Sequence, residues 1–154
     1  MNVSVYSGKE IKSLINSGSF PADTAVISFY DPPEYAPKGY EKVDYSSVTN
    51  NVFYVAVPDI DWDFFENDKA AIKDFFPESE ELAMFILGEY HAGHSVICQC
   101  DYGQSRSAGC AMAILEYFDH AGNRIFEDPK YFPNQLVFGK VFEALKKLSK
   151  DIRA

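Results

Sequence analysis

Cysteine is scarce in this chain, positive charge is in deficit, and no apolar run is long enough to cross a bilayer. Only 3 cysteines occur in 154 residues; so small and odd a number excludes a disulfide framework and fits a reducing compartment. The chain has 14 Lys and Arg against 23 Asp and Glu, a formal charge of −9. Nucleic acids and anionic membranes both select a basic footprint, so neither is expected as a partner. The hydrophobic stretches fall well short of the roughly 20 residues of a spanning helix, and Met1–Glu10 lacks the basic start and apolar stretch of a signal peptide. The expected location is cytoplasmic. There is no internal repeat, low-complexity tract or dividing linker, and no signal for an oligomeric state. What is abundant is apolar surface: 47% of residues are hydrophobic and 16% aromatic. That excludes disorder and suffices for one domain spanning residues 1–154.

Period and punctuation predict strands at Asn2–Tyr6, Ala25–Tyr30, Asn51–Val57 and Ser95–Cys100. Helices are expected around Lys9–Ile15, Glu78–Tyr90, Arg106–His120 and Gln135–Ile152. The last carries Leu136, Val137, Phe138, Val141, Phe142, Leu145 and Leu148 at core spacing. Strands alternating with helices predict an α/β sandwich with a largely parallel central sheet flanked by helices. A site on such a sheet lies beyond the carboxyl ends of the strands, where both Cys100 and Asp59 fall. Asp31–Asn50 is the longest irregular stretch; it is expected to wall a substrate cleft with Tyr35, Tyr40 or Tyr45, or else to be a surface loop pinned by its own aromatics.

The densest chemistry sits in Val-Ile-Cys-Gln-Cys-Asp-Tyr-Gly-Gln-Ser-Arg-Ser-Ala-Gly, residues 96–109. A buried strand ends at Cys100, and a helix packed by one face begins at Arg106. The loop between them opens onto a helix N-terminus, where unpaired N–H groups and a positive dipole favour an oxyanion. The same field favours a thiolate over the free thiol, whose pKa is about 8.5. Arg106 adds a planar fork for two phosphate oxygens, Gly103 permits close backbone approach, and Ser107 offers a hydroxyl to the sulfur.

The string Cys100-Asp-Tyr-Gly103-Gln-Ser105-Arg106-Ser107 resembles the signature loop of the cysteine-dependent protein tyrosine phosphatases, most closely their compact dual-specificity branch and its small bacterial members. Val55-Ala-Val-Pro-Asp59 resembles the strand leading to the family's acid loop. Phe75-Phe-Pro-Glu78, followed by an apolar helix, resembles the segment leading into the nucleophile strand, and Tyr131-Phe-Pro-Asn134, followed by a terminal helix, resembles small bacterial members. The resemblance implies a phosphotyrosine-phosphatase-like sandwich that hydrolyses phosphate monoesters through a phosphocysteine, without metal or other cofactor. It assigns Cys100 as nucleophile, Arg106 and the loop Asp101, Tyr102, Gly103, Gln104 and Ser105 as phosphate cradle, Asp59 as general acid, and Ser107 as support for the departing thiolate. The implied partner is a phosphorylated protein or peptide, with phosphotyrosine favoured. A multiply phosphorylated lipid is disfavoured, because family members specific for such lipids carry basic residues in the loop and this one carries Asp101. One position departs from the pattern: Gln99 stands where a histidine usually precedes the nucleophile.

The same residues allow other readings. Asp59-Ile-Asp61 after an apolar strand resembles the nucleophile motif of magnesium-dependent aspartate phosphatases, although Asp63 stands where Thr or Val is wanted. Otherwise Asp61 and Asp63 read as a solvated acidic turn. His91, His94, Cys98 and Cys100 have spacings that zinc accepts, against a plainer reading of the histidines as a polar turn. Cys98 and Cys100 lie on one strand face about 6.6 Å apart, near the upper limit for a disulfide; packing is the plainer role for Cys98, as for Cys110. A phosphotyrosine-binding module without turnover is the non-enzymatic alternative.

Overall fold

The computed structural model describes residues 1–153. Four strands, β1 (Val3–Ser7), β2 (Thr24–Tyr30), β3 (Val52–Ala56) and β4 (Ser95–Cys100), form one sheet in the order β1-β4-β2-β3. Every adjacent pair is parallel. Among the described residues, seven helices connect or follow them: α1 (Gly8–Asn16), α2 (Trp62–Phe65), α3 (Lys69–Asp74), α4 (Ser79–His91), α5 (Arg106–Asp119), α6 (Asn123–Phe126) and α7 (Gln135–Arg153). The expected α/β layering with helices on a parallel sheet is present.

Burial explains the strand order. The central strands β2 and β4 are almost continuously buried, whereas the edge strands β1 and β3 are mostly half-buried. That is the pattern of a parallel sheet covered on both faces. Within β2 and β4, side chains alternate between two cores. Ala25, Ile27, Phe29, Val96, Cys98 and Cys100 join the large core with α4, α5 and α7. Val26 and Ile97 face the smaller core, with Ile11 of α1 and Val43 and Tyr45 of the long loop. Gln99 and Cys100, adjacent in sequence, therefore point to opposite faces.

One expectation is corrected. Helix α5 is not packed by a single face: Arg106 to Leu115 are all buried. Small residues at Ala108, Gly109, Ala111 and Ala113 let neighbours approach from every side. A Cβ on Gly109 would lie 2.4 Å from the Asn134 carbonyl oxygen. The short helices α2, α3 and α6 were not expected, because four to six residues carry too little periodicity to register.

Candidate active site

All four strands end on one edge of the sheet, and each delivers a part. Cys100 ends β4, Asp31 follows β2, Asp59 follows β3 through Val57 and Pro58, and the Ser7–Gly8 junction follows β1. The loop between β4 and α5 is held from outside by its carbonyls. Gly8 N–H donates to Asp101 O at 3.1 Å, Phe132 N–H to Gln104 O at 2.9 Å and Asn134 N–H to Ser105 O at 3.0 Å. Among the described residues, no backbone N–H from Tyr102 to Arg106 donates to another residue. Those amides are left to serve an oxyanion at the start of α5.

Gly103 has φ +67°, and a Cβ there would lie 2.6 Å from Ser7 N. The glycine is thus required by the end of β1, which crosses beneath the loop. Gly103→Ala is expected to cost about 2 kcal/mol or more through the left-handed backbone and this overlap, read as a lowered midpoint in denaturant unfolding.

The Cys100 side chain is buried, and its Sγ lies 3.0 Å from Ser107 Oγ. Arg106 is only 3% exposed. Its Nη1 donates to Asp31 Oδ1 and to Val57 O, both at 2.8 Å, and its Nη2 donates to Asp101 Oδ2 at 3.1 Å. Its Nε is buried with no partner among the described residues. Burial opposes the charge, but Cys100, Asp31, Asp59 and Asp101 outweigh it and hold the guanidinium above its ordinary range. Both terminal nitrogens are thus engaged by the protein, and Nε is left as the unpartnered donor of the guanidinium, a group suited to an oxyanion.

Asp59 Oδ1 accepts from Ser105 Oγ at 2.7 Å and more distantly from Asn134 Nδ2 at 3.4 Å. This places its carboxylate over the loop. Asp61 does not share that position. Its oxygens accept from Gln135 N–H at 2.8 Å and Leu136 N–H at 3.1 Å, the first amides of α7, and from Trp62 N–H at 2.9 Å. The solvated-turn reading of Asp61 is thereby corrected: it is a cap, drawn in because α7 opens with orphan N–H groups. Both of its oxygens are committed, which disfavours the magnesium-dependent reading that needs Asp61 free beside Asp59.

His94 Nδ1 lies 2.6 Å from Glu89 Oε2. Among the described residues, His91, His94, Cys98 and Cys100 do not converge into a set of three or more ligands. Cys98 is fully buried in the core beside Cys110; the interaction with that thiol and burial push the Cys98 thiol well up, which disfavours the thiolate.

Gln99 occupies the other face of β4. Its Oε1 accepts from Ser28 Oγ at 2.6 Å and Tyr45 OH at 2.8 Å in a fully buried cluster. Burial raises the Tyr45 phenol strongly, so it stays a donor. Gln99→Leu leaves two buried hydroxyls without an acceptor and is expected to cost about 2 kcal/mol or more, measurable by thermal or chemical melting.

Tyr45 pins the long loop and Tyr40 brings it to the site. Tyr40 OH accepts from Asp31 N–H at 3.0 Å and donates to the Asp101 carboxylate at 2.9 Å. Burial and Asp101 push this phenol up to about 12. Tyr35 is half-exposed at 48%. Tyr45 thus pins the loop, as one of the two expectations has it, and Tyr40 joins the loop to Asp31 and Asp101. The residue that the sequence did not disclose is Asp31. Its signal was its place directly after a buried strand, the rule that singled out Asp59.

No family model and no curated protein matches this sequence. Solved structures match its fold across nearly the whole chain. Human DUSP28 is 16% identical, with TM-score 0.52 over 97% of this chain and 94% of that one. A mouse putative dual specificity phosphatase, complexed with zinc tungstate, is also 16% identical, with TM-score 0.53 over 97% and 86%. PTPMT1 in complex with PI(5)P is 14% identical, with TM-score 0.53 over 98% and 94%. The fold is that of the dual-specificity phosphatases. At these identities the likeness speaks for the fold, and the chemistry must be argued from the side chains.

Proposed function

We propose that this protein is a phosphatase acting on phosphate monoesters, with phosphotyrosine in a protein or peptide as substrate and a phosphocysteine as intermediate. The observation that carries the reading is the buried Arg106, anchored through Nη1 with its Nε unpartnered, in the same loop as Cys100 and its Ser107 contact.

Arg106 and the loop amides bind the phosphoryl oxygens and stabilise the charge of the in-line transition state. Cys100 thiolate attacks phosphorus, forming the S–P bond as the ester P–O bond breaks. Asp59, protonated, gives its proton to the leaving oxygen. A water then loses a proton to Asp59 and attacks phosphorus; the S–P bond breaks and the thiolate returns to the Ser107 hydroxyl. No step calls on a metal or other cofactor. The loop offers Asp101 and no lysine, which favours a singly phosphorylated substrate over a polyphosphorylated lipid. We place the site in a single phosphatase domain of residues 1–154 and the protein in the cytoplasm; no described helix is long and apolar enough to cross a membrane.

Hydrolysis of a chromogenic aryl phosphate that persists in excess chelator is the expected result. Turnover that requires added magnesium would move the nucleophile to Asp59. Phosphotyrosine binding without turnover would make this a binding module.

A further inference from the structure

Beside the catalytic loop runs a groove that the chemistry above does not use. It has a volume of about 700 Å³, lies between α1 and the long loop, and ends at Asp101 and Tyr102. Lys9 and Lys12 line it from α1, and Pro37, Tyr40 and Val43 line it from the long loop. Both walls are fastened to the catalytic loop, α1 by the Gly8 N–H to Asp101 O bond and the long loop by Tyr40 OH to the Asp101 carboxylate. The groove thus adjoins the Asp101–Tyr102 end of the loop that follows Cys100.

Its charge is unusual for this molecule. On a chain of net charge −9, Lys9 and Lys12 are exposed and join no ion pair or hydrogen bond among the described residues. Asp31 and Asp101, which also line the groove, are paired with Arg106. Glu41 is the remaining carboxylate, on the loop side. The α1 wall therefore presents unneutralised positive charge directly beside the phosphate site.

We propose that the groove receives the peptide chain flanking the phosphorylated residue, and that Lys9 and Lys12 select substrates with acidic side chains there. This rests on the phosphatase reading of the Cys100 loop. Residues i and i+3 of a helix place their Cβ atoms about 5–6 Å apart. Alternate side chains of an extended chain are about 6.6 Å apart. Two acidic residues separated by one position match that spacing. The apolar wall of Pro37, Tyr40 and Val43 suits an extended peptide. A lipid headgroup would instead bring the acidic protein against an anionic bilayer, which repels it.

The test measures binding, so that it stands apart from turnover. The Cys100→Ser protein is titrated with fluorescent phosphotyrosyl peptides having neutral flanks, or two glutamates spaced by one residue on the N-terminal or C-terminal side. The readout is the ratio of neutral to acidic Kd, which a general loss of folded protein does not change. One acidic peptide is expected to bind about five- to tenfold tighter than the neutral one, with the preference shrinking in about 0.5 M salt. Adding K9E and K12E should bring the ratio to one or below. Equal binding of all peptides, or a preference that survives K9E/K12E, overturns the proposal. Tighter lysine-dependent binding to phosphoinositide vesicles than to any peptide overturns the peptide assignment. Aryl-phosphate hydrolysis by the unmodified protein decides the phosphatase reading on its own; its absence alongside a lysine-dependent ratio would fault the chemistry and not the groove.

Discussion

Cys100→Ser is expected to abolish hydrolysis of an aryl phosphate, by about 10⁴-fold or more, while phosphate-ester affinity stays within a few-fold. The serine hydroxyl holds its proton at neutral pH, and its neighbour at 3.0 Å is the hydroxyl of Ser107, which is no base. The cradle is untouched by the change, since Arg106 is anchored on Asp31 and Val57 O and the loop is held by carbonyl contacts from residues 8, 132 and 134. Binding should therefore survive where turnover does not. Arg106→Lys separates the two from the other side. An ammonium cannot span Asp31, Val57 O and a phosphate at once, so both binding and turnover should fall, turnover by about 10²–10³-fold. Residual activity near wild type in Cys100→Ser would remove the phosphocysteine, and unchanged activity in Arg106→Lys would remove the loop as phosphate site.

How much of this was legible before the structure depends on the range of the interactions involved. The strands and long helices follow from periodicity, and β4 ends at Cys100 as read. The strand–loop–helix unit is local, so Cys100, Arg106 and Ser107 stand together as expected. Asp59 was placed by a general property of parallel sheets. The same property would have named Asp31, but that needs β2 beside β4, and strand order is long-range information. Gly103, expected to let the backbone approach a ligand, is required on a further ground that no sequence window shows: its neighbour is the end of β1. Asn134 is further from inference still. It donates to Ile60 O at 2.8 Å, caps Val137 N–H at 3.0 Å and packs on Gly109, joining the segment Asp59–Asp61, α7 and α5. None of these contacts has a signature within a sequence window. Gln99, read as a departure from the family pattern next to Cys100, completes a cluster on the opposite face, where the alternation of β4 directs it.

Asp59→Asn is expected to slow hydrolysis in proportion to how badly the leaving group needs a proton. An amide cannot donate a proton to the departing oxygen, so phenyl or alkyl phosphates should lose about 10²–10⁴-fold. An ester whose leaving group is already a stable anion should lose little, giving a steep new dependence on leaving-group pKa. The pH profile provides the second signature. The expected result is an alkaline limb in the wild-type rate that is absent from Asp59→Asn. Asp61→Asn supplies the contrast, because its oxygens cap α7 through Gln135 and Leu136 N–H. The substitution presents an NH₂ to those amides and should lower the melting point, by about 1–2 kcal/mol of stability, with the leaving-group dependence unchanged. If instead Asp61→Asn flattens the alkaline limb and Asp59→Asn does not, the acid lies two residues further on. The Ser105 hydroxyl at 2.7 Å argues for the first outcome: it ties the Asp59 carboxyl to the loop between Cys100 and Arg106, whereas the Asp61 carboxyl is turned to the first amides of α7.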